Sequence, residues 1–345
     1  MNNISILDNE IKKIFGATPI YYVGGVCRSL LLDHKPHDID MATPISPDEI
    51  ENLVRKAERK PYLVGKRFGT IGFKVETETG YEYVEVTTFR NEQYKEGSRK
   101  PEVSFVKDIT ADLSRRDFTI NALALREGKL IDPFNGQEDL NNGVIRAVGQ
   151  PSHRFKEDPL RMLRACRFAS QLDFAIEEKT FESMKQLNYK ILEVSRERWM
   201  IELDKLLMMN NLRVGLNYLM GSRLLNFMIP ELALQFQYEQ NNPHHEYDLW
   251  THTLNVVENT PKDINLRWGA LLHDVAKPYV RTNREDRSNY IKHDLLGKEI
   301  VIRLARYLKW SNERTEIISD LVLNHVKDES PLKEADTKGK KNEIL

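Results

Sequence analysis

The chain has 345 residues, 40% hydrophobic and 30% charged, with 51 Lys and Arg against 52 Asp and Glu and a net charge of −1. Its mean hydropathy of −0.53 and the lack of any apolar run near the roughly 18 residues of a membrane span, or of a signal-peptide core at the N-terminus, predict a cytoplasmic globular protein without membrane contact. The length exceeds what one core organises and predicts two or three domains, while the neutral charge excludes a generally basic nucleic-acid coat and leaves such binding to local clusters.

The densest cluster is Arg146, Arg154, Lys156, Arg161, Arg164 and Arg167. The two cysteines, Cys27 and Cys166, sit in apolar candidate helices and read as buried thiols. In chain order, helical patterns cover Asn9 to Phe15 and Pro47 to Lys60, the second opened by Ser46 as an N-cap. Between them, Tyr21, Tyr22 and Val23 read as a buried strand, Gly24 and Gly25 as a turn, and Val26 to Leu32 as a short helix carrying Arg28. Strand, glycine turn and helix together make an anion-holding arrangement, because backbone N–H groups can approach a phosphate where no side chain intervenes. Downstream, Asp38, Ile39, Asp40 and Met41 alternate, so an extended strand projects both carboxylates from one face and buries Ile39 and Met41. Adjacent carboxylates call for a cation, and magnesium is the hard ion that also binds substrate phosphates.

Thr70 to Val75 and Tyr81 to Thr88 are rich in β-branched and aromatic residues and predict strands joined by a turn at Glu78 to Gly80. Alternation in the second strand lets Glu85 face the Asp pair as a third carboxylate, or face solvent. Arg90 to Pro101 (RNEQYKEGSRKP) reads as a mobile loop. RRDFTINALAL predicts a helix with Asp117 as N-cap or first-turn acid, and LIDPFNGQEDL a strand and turn. Beyond about residue 140 helices dominate: Asp158 to Gln171, Glu177 to Leu187, Ser195 to Met208, Arg213 to Leu225, Leu249 to Asn259, Ile264 to Val275, Leu295 to Leu308 and Asn312 to His325. The last stretch, PLKEADTKGKKNEIL, reads as a lysine-rich frayed tail.

A Gly-Gly turn followed by an Asp-x-Asp pair resembles the signature of the DNA polymerase beta-like nucleotidyltransferases. The ordered set GGVCRSLLL, HDIDMAT, RRDFTINALAL, DPFNGQEDL, FKEDPLRMLRACRF and RERWMIELDKLL, from about Tyr21 to Leu207, resembles the bacterial tRNA nucleotidyltransferases (class II CCA-adding enzymes) and the closely similar bacterial poly(A) polymerases. The resemblance implies that Gly24, Gly25 and Arg28 hold the triphosphate and that Asp38 and Asp40 bind two Mg²⁺ ions. It implies that Arg116 and Asp117 contact the ribose hydroxyls, with Asn121, Arg164 and Arg167 also in the nucleotide-binding set. Asp158 and Arg161 would act as a template made of protein: a carboxylate accepts from the exocyclic amine shared by cytosine and adenine, and a guanidinium donates to ring acceptors. Ser29 departs from the family, which usually has Asp after the motif's arginine.

HHEYDLWTHTLNVVE, LRWGALLHDVAKP, KHDLLGKEI and LVLNH gather His244, His245, His252, His273, Asp274, His293 and His325 and resemble the HD domain, a helical metal-dependent phosphohydrolase fold carried by some members of this family. That implies a divalent transition metal at His252, His273 and Asp274; a scaffold with packed or solvated histidines is the alternative. Asn289 stands where relatives often have another His, and no distal Asp is assignable from sequence.

The expected architecture is α+β, a polymerase beta-like nucleotidyltransferase head (1–140), followed by an all-helical neck and body (141–235), an HD-like bundle (236–330) and a Lys-rich tail (331–345). The expected activity is template-independent addition of CCA to the tRNA 3′ end from CTP and ATP, with release of pyrophosphate. Poly(A) or A-only addition is the alternative within that chemistry, and an HD phosphohydrolase or a non-catalytic RNA-binding protein the alternative outside it.

Overall fold

The computed structural model describes residues 2–36, 38–77, 80–93, 102–241, 246–283 and 287–340. Among these, no helix is long and apolar enough to cross a membrane. The chain divides into two units, Met1–Glu157 and Asp158–Leu345. The first extends past residue 140 because 144–148 folds back: Thr119 N–H donates to Arg146 O at 2.9 Å and Val148 N–H to Asp117 O at 3.1 Å, and Val148 joins a head core with Val23, Ala42, Phe89 and Leu113.

The first unit contains α1 (Asn2–Phe15), β1 (Tyr21–Val23), α2 (Gly25–Leu31), β2 (Ile39–Thr43), α3 (Pro47–Lys56), β3 (Thr70–Thr77), β4 (Gly80–Thr88), β5 (Arg90–Gln93), β6 (Glu102–Phe105), α4 (Ile109–Ser114), β7 (Ala124–Arg126), β8 (Lys129–Ile131), α5 (Gly136–Asn142) and α6 (Pro151–Glu157). Ser46 and Glu49 close a reciprocal capping box at the start of α3, which satisfies two otherwise orphaned N–H groups and fixes where that helix begins. Six strands form one sheet in the order β3-β4-β2-β1-β7-β8, with β2 and β4 parallel and the other pairs antiparallel. Ile39, Met41, Ile71, Phe73, Val75, Val84 and Val86 are buried and alternate on one face, against which α1 and α3 pack. Period-two alternation therefore leaves the other face of β2 and β4 for polar side chains.

Two local expectations are corrected here. Arg90 to Gln93 is strand β5, paired with β6 from Arg90 opposite Phe105 to Gln93 opposite Glu102; residues 94–101 of the expected loop, like 78–79 of the expected β3–β4 turn, lie outside the described residues. RRDFTINALAL makes no helix: a single 3₁₀ turn at Thr119–Asn121 leads into β7. Its apolar residues Phe118, Ile120, Ala122, Leu123 and Ala124 are buried without a polar face, and pairing with β1 overrides helical periodicity.

The second unit is helical: α7 (Leu160–Leu172), α8 (Glu178–Leu187), α9 (Arg196–Leu207), α10 (Leu212–Gly221), α11 (Leu225–Met228), α12 (Pro230–Ala233), α13 (Leu249–Asn259), α14 (Ile264–Leu272), α15 (Lys277–Val280), α16 (His293–Leu308), α17 (Asn312–Asn324) and α18 (Lys333–Gly339). The expected helices all appear within a few residues of their sequence bounds. The expected frayed tail is corrected: Lys333 to Gly339 forms α18, packed on α13, because Leu332, Ala335 and Asp336 are buried at helical spacing. Residues 341–345 lie outside the described residues, as do His244 and His245.

Candidate functional site

In the head, register does the assembling. Asp40 on β2 lies opposite Glu85 on β4, and Asp38 immediately precedes β2, exposed. Paired residues of neighbouring strands share a face, so Glu85 stands beside Asp40 as the third carboxylate. Burial, followed by the charge of Glu85, pushes Asp40 above the usual carboxylate range; Arg116 opposes this and Asp38 adds to it. Asp40 and Glu85 share one strand level and Asp38 lies two residues earlier on the same face, a row of carboxylates suited to a hard divalent cation whose charge offsets their repulsion.

Gly24 sits between β1 and α2 at φ 65° and ψ −128°, a region reserved in practice for glycine. A Cβ there would also lie 2.7 Å from Arg116 Nη1, so the glycine gives the guanidinium room over the turn. Arg28 donates to Asn121 Oδ1, Asn121 Nδ2 donates to Asp117 Oδ1 at 3.0 Å, and Phe118 N–H donates to the same oxygen at 2.8 Å. Asn121 is thus one partner that orients Arg28, and Ser29 leaves that contact intact. The turn, Arg28, Arg116, Asp117 and Asn121 converge around one end of β1.

Sequence reading missed Asp112. It is buried within α4 and accepts from Arg115 Nη2 at 2.8 Å, Arg116 Nη2 at 3.4 Å and Arg90 N–H at 3.1 Å. Burial works against its ionised form, but Arg115 and Arg116 outweigh this and hold the carboxyl below its usual range. The signal was available: an acid three and four residues before two arginines on a helical turn.

In the helical unit, Asp158 accepts from Arg198 Nη2 at 2.6 Å and Nη1 at 3.3 Å, so α9 holds the carboxylate just ahead of α7. Arg161 follows on the first turn of α7 and is buried. Arg167 is 8% exposed and bonds Glu202 Oε2 at 2.5 Å and Gln171 Oε1 at 2.8 Å, which is the geometry of an internal ion pair and not of an exposed phosphate contact. Arg164 lies 3.8 Å from Glu202 and over the Phe168 ring. Within the head, Arg146 bonds Asp139 and Arg154 bonds Glu157 at 2.6 Å. Much of the basic cluster is therefore neutralised inside its own unit.

A second site lies wholly in the helical unit. His252 (α13), His273, Asp274, His293 (α16), His325 and Asp336 (α18) form two trios, His252–His273–Asp336 and Asp274–His293–His325. Asp274 joins them: Oδ2 is 3.3 Å from His252 Nε2 and 3.1 Å from His273 Nε2, while Oδ1 is 3.3 Å from His293 Nε2 and 3.6 Å from His325 Nε2. Each histidine presents Nδ1 to a backbone carbonyl, Gly339, Ala270, Tyr290 and Val322 respectively, at 2.6–3.1 Å. A carbonyl only accepts, so Nδ1 carries the proton and Nε2 of each neutral ring presents a lone pair. With neutral rings, two such lone pairs face each other 3.1 Å apart in His252–His273 and again in His293–His325, an arrangement that repels unless a proton or a metal ion lies between them. Backbone-anchored Nδ1 with convergent Nε2 is how metal-ligating histidines are held. Burial pulls His252 down, but bonds to Asp274 and Asp336 outweigh it and raise its pKa; in His273 burial dominates and lowers it. Asp336, 3.3 Å from His252 Nε2, is an acid of this cluster that spacing along the chain did not assign. His293 and His325 bring two further rings to it.

Residues 20–146 match the family described as Poly A polymerase head domain, 173–235 that described as the probable RNA and SrmB-binding site of polymerase A, and 249–342 the HD domain. The chain is 33% identical over 331 residues to a CCA-adding enzyme of Staphylococcus epidermidis, covering 90% of this chain and 80% of that protein. It is 35% identical over 334 residues to one of Lactococcus lactis subsp. cremoris, with the same coverages. A solved Bacillus stearothermophilus CCA-adding enzyme in complex with CTP is similar at a TM-score of 0.61 and 27% identity, over 97% of this chain and 80% of that one. An apo CCA-adding enzyme structure at 23% identity and a TM-score of 0.68 shares the fold. With the Gly-Gly turn, the carboxylate row and the HD cluster all within the matched length, the chain belongs to the CCA-adding enzyme family of nucleotidyltransferases.

Proposed function

We propose that this chain adds C, C and A to the 3′ end of tRNA in the cytoplasm, taking CTP and ATP as substrates and using no nucleic-acid template. The observation that carries the reading is the juxtaposition of Asp38, Asp40 and Glu85 with the Gly24 turn and its arginines. In the transfer, the primer 3′-hydroxyl loses its proton, its oxygen bonds the α-phosphorus, and the bond from that phosphorus to the bridging oxygen breaks to release pyrophosphate. Asp38 and Asp40, with Glu85 beside them, would hold Mg²⁺, which when bound would supply activation of the hydroxyl and neutralisation of the leaving group. Gly24 and Gly25 admit the triphosphate to backbone N–H groups, Arg28 and Arg116 balance its charge, and Asp117 with Asn121 faces the ribose. Asp158, oriented by Arg198, accepts from the exocyclic amine of cytosine or adenine, and Arg161 donates to the ring acceptor; a carbonyl at the amine position leaves a buried acceptor unpaired, at about 1–3 kcal/mol. Incubation with tRNA lacking its 3′ end and each triphosphate in turn tests this. Stepwise extension with CTP and then ATP supports it, A-only extension supports the narrower relative, and no extension refutes it.

A second reading is supported by the four convergent Nε2 atoms: the HD centre holds divalent transition metal, with Asp274 shared between the two trios, and hydrolyses a phosphomonoester or a cyclic phosphodiester. Elemental analysis of protein purified without chelator, with release of phosphate from 2′,3′-cyclic AMP or p-nitrophenyl phosphate, tests it. A chain that carries no such metal after incubation with Ni²⁺, Co²⁺ or Mn²⁺ returns the histidines to a packing role.

A further inference from the structure

We propose that Tyr62 and Tyr83 form a stacking platform for the 3′-terminal base of the RNA primer, an inference that rests on the nucleotidyl transfer argued above. Four positions line up across the sheet at the level of the catalytic acids. Tyr62 bridges to Gly72 on β3, with Tyr62 N–H donating to Gly72 O at 2.7 Å and Gly72 N–H to Tyr62 O at 3.1 Å. Gly72 lies opposite Glu85 on β4, and Glu85 opposite Asp40 on β2. All share the carboxylate face.

Gly72 decides what covers that row. A Cβ on it would sit 2.0 Å from the Tyr83 hydroxyl oxygen and 2.6 Å from Tyr83 Cζ, so the phenol ring lies across β3 in the space a side chain would fill. It meets Tyr62 with ring centroids 5.7 Å apart at 60°. Burial and then Glu85, by charge and by hydrogen bonding, hold the Tyr83 hydroxyl above its usual range, which ties the ring's position to the third carboxylate. Yet these rings are not core: Tyr62 remains 37% and Tyr83 43% exposed. Two large aromatic rings therefore keep part of their surface open to solvent at one end of the catalytic row.

Which reactant meets them follows from topology. The Gly24 turn, Arg28, Arg116 and Asn121 belong to elements on the β1 side of β2, and that side takes the triphosphate. In-line displacement places the attacking and leaving oxygens on opposite sides of the phosphorus, so the primer approaches from the β4–β3 side, where the tyrosines lie. Lys74, exposed on the same face and opposite Tyr83 in the register, supplies a cation for the primer backbone. Stacking suits this substrate: its terminal base changes after each addition, and aromatic faces accept any base.

The test uses an RNA hairpin with 2-aminopurine as its 3′-terminal base, together with steady-state CMP addition to truncated tRNA. Stacking quenches the fluorophore on binding to the wild-type chain. Tyr83→Ala and Tyr62→Ala are expected to lose that quench and to raise KM for the RNA about tenfold, in the range of one base–aromatic stack, with KM for CTP unchanged. Tyr83→Phe, which keeps the ring, is expected to retain both. Tyr62 lies outside the six-stranded sheet, so Tyr62→Ala carries the test even where Tyr83→Ala does not fold. Unchanged quench and RNA KM in Tyr62→Ala overturn the platform, as does a rise in KM for CTP alone, which would seat the incoming base there. Tyr83→Phe behaving as Tyr83→Ala also overturns it, in favour of a hydroxyl that positions Glu85. Failure of the wild-type chain to add CMP refutes the proposed function instead.

Discussion

Arg167→Ala separates two roles that a basic helix can have. Were Arg167 a phosphate contact, its loss would lower the slope of log K against log salt for tRNA by about 0.7–0.9 and leave stability alone. The structure argues for the other outcome. The Arg167–Glu202 pair closes at 2.5 Å with side chains 10% and 6% exposed, and removing one partner of a buried pair costs roughly 3–5 kcal/mol, because the remaining charge stays buried. Arg164, 3.8 Å from Glu202 and about a third exposed, takes up part of that charge, which places the loss near 3 kcal/mol. For a unit of this size that corresponds to a fall in Tm of roughly 6–12 °C. Calorimetry of the full chain, paired with tRNA binding across a salt series, reads both quantities. An unshifted Tm together with a slope reduced by about one refutes the internal pair and restores the phosphate contact.

Asp40→Ala is expected to lower nucleotide incorporation by about a hundred- to a thousandfold, as loss of a group that stabilises transition-state charge does, while Tm in metal-free buffer holds or rises, because the half-buried carboxylate beside Glu85 is gone; near wild-type incorporation with magnesium refutes the assignment. Gly24→Ala forces a side chain into φ 65° and against Arg116 Nη1, at roughly 1–3 kcal/mol of backbone strain, and is expected to raise KM for the triphosphate; an unchanged KM shows that the turn does not hold it. Arg198→Ala removes an exposed partner, costing under about 1 kcal/mol of stability, but frees the Asp158 carboxylate. The kcat/KM ratio for CTP over UTP is expected to fall; a ratio that holds while Tm drops assigns Arg198 to scaffolding alone.

Much of the fold was legible because its periods are clean. TIGFKV and YEYVEVTT alternate toward a buried face, and the long helices carry apolar stripes bounded by Ser195, Asp248, Asp263 and Ser311, four residues that sit at N-cap positions in the structure. RRDFTINALAL defeated the same reasoning, since a segment buried on every side has no polar period from which to tell helix from strand. The carboxylate row was half legible: strand alternation puts Glu85 on a face, but only the parallel β2–β4 register sets it opposite Asp40, and register is a tertiary fact. Gly72 is less legible still, because a glycine within a strand signals a close approach without saying of what.

The HD centre shows why a candidate metal set can be gathered in space and scattered in sequence. Its candidate ligands come from residues 252 to 336, and spacing along the chain brings none of the distal ones to the His273–Asp274 pair. Part of it comes from α18, a helix of seven residues, too short to be stable alone in water. Composition marked that segment as a frayed tail because its lysines face outward. Yet Asp336, ion-paired with Lys340 at 2.8 Å, also lies 3.3 Å from His252 Nε2, and the Gly339 carbonyl accepts from His252 Nδ1. A Cβ on Gly339 would approach within 2.6 Å of Val256 and 3.3 Å of that ring nitrogen. The segment thus supplies an acid of the cluster, the anchor of one of its histidines and a close packing contact, and its place in the fold is determined by chemistry that a reading of polarity along the chain does not register.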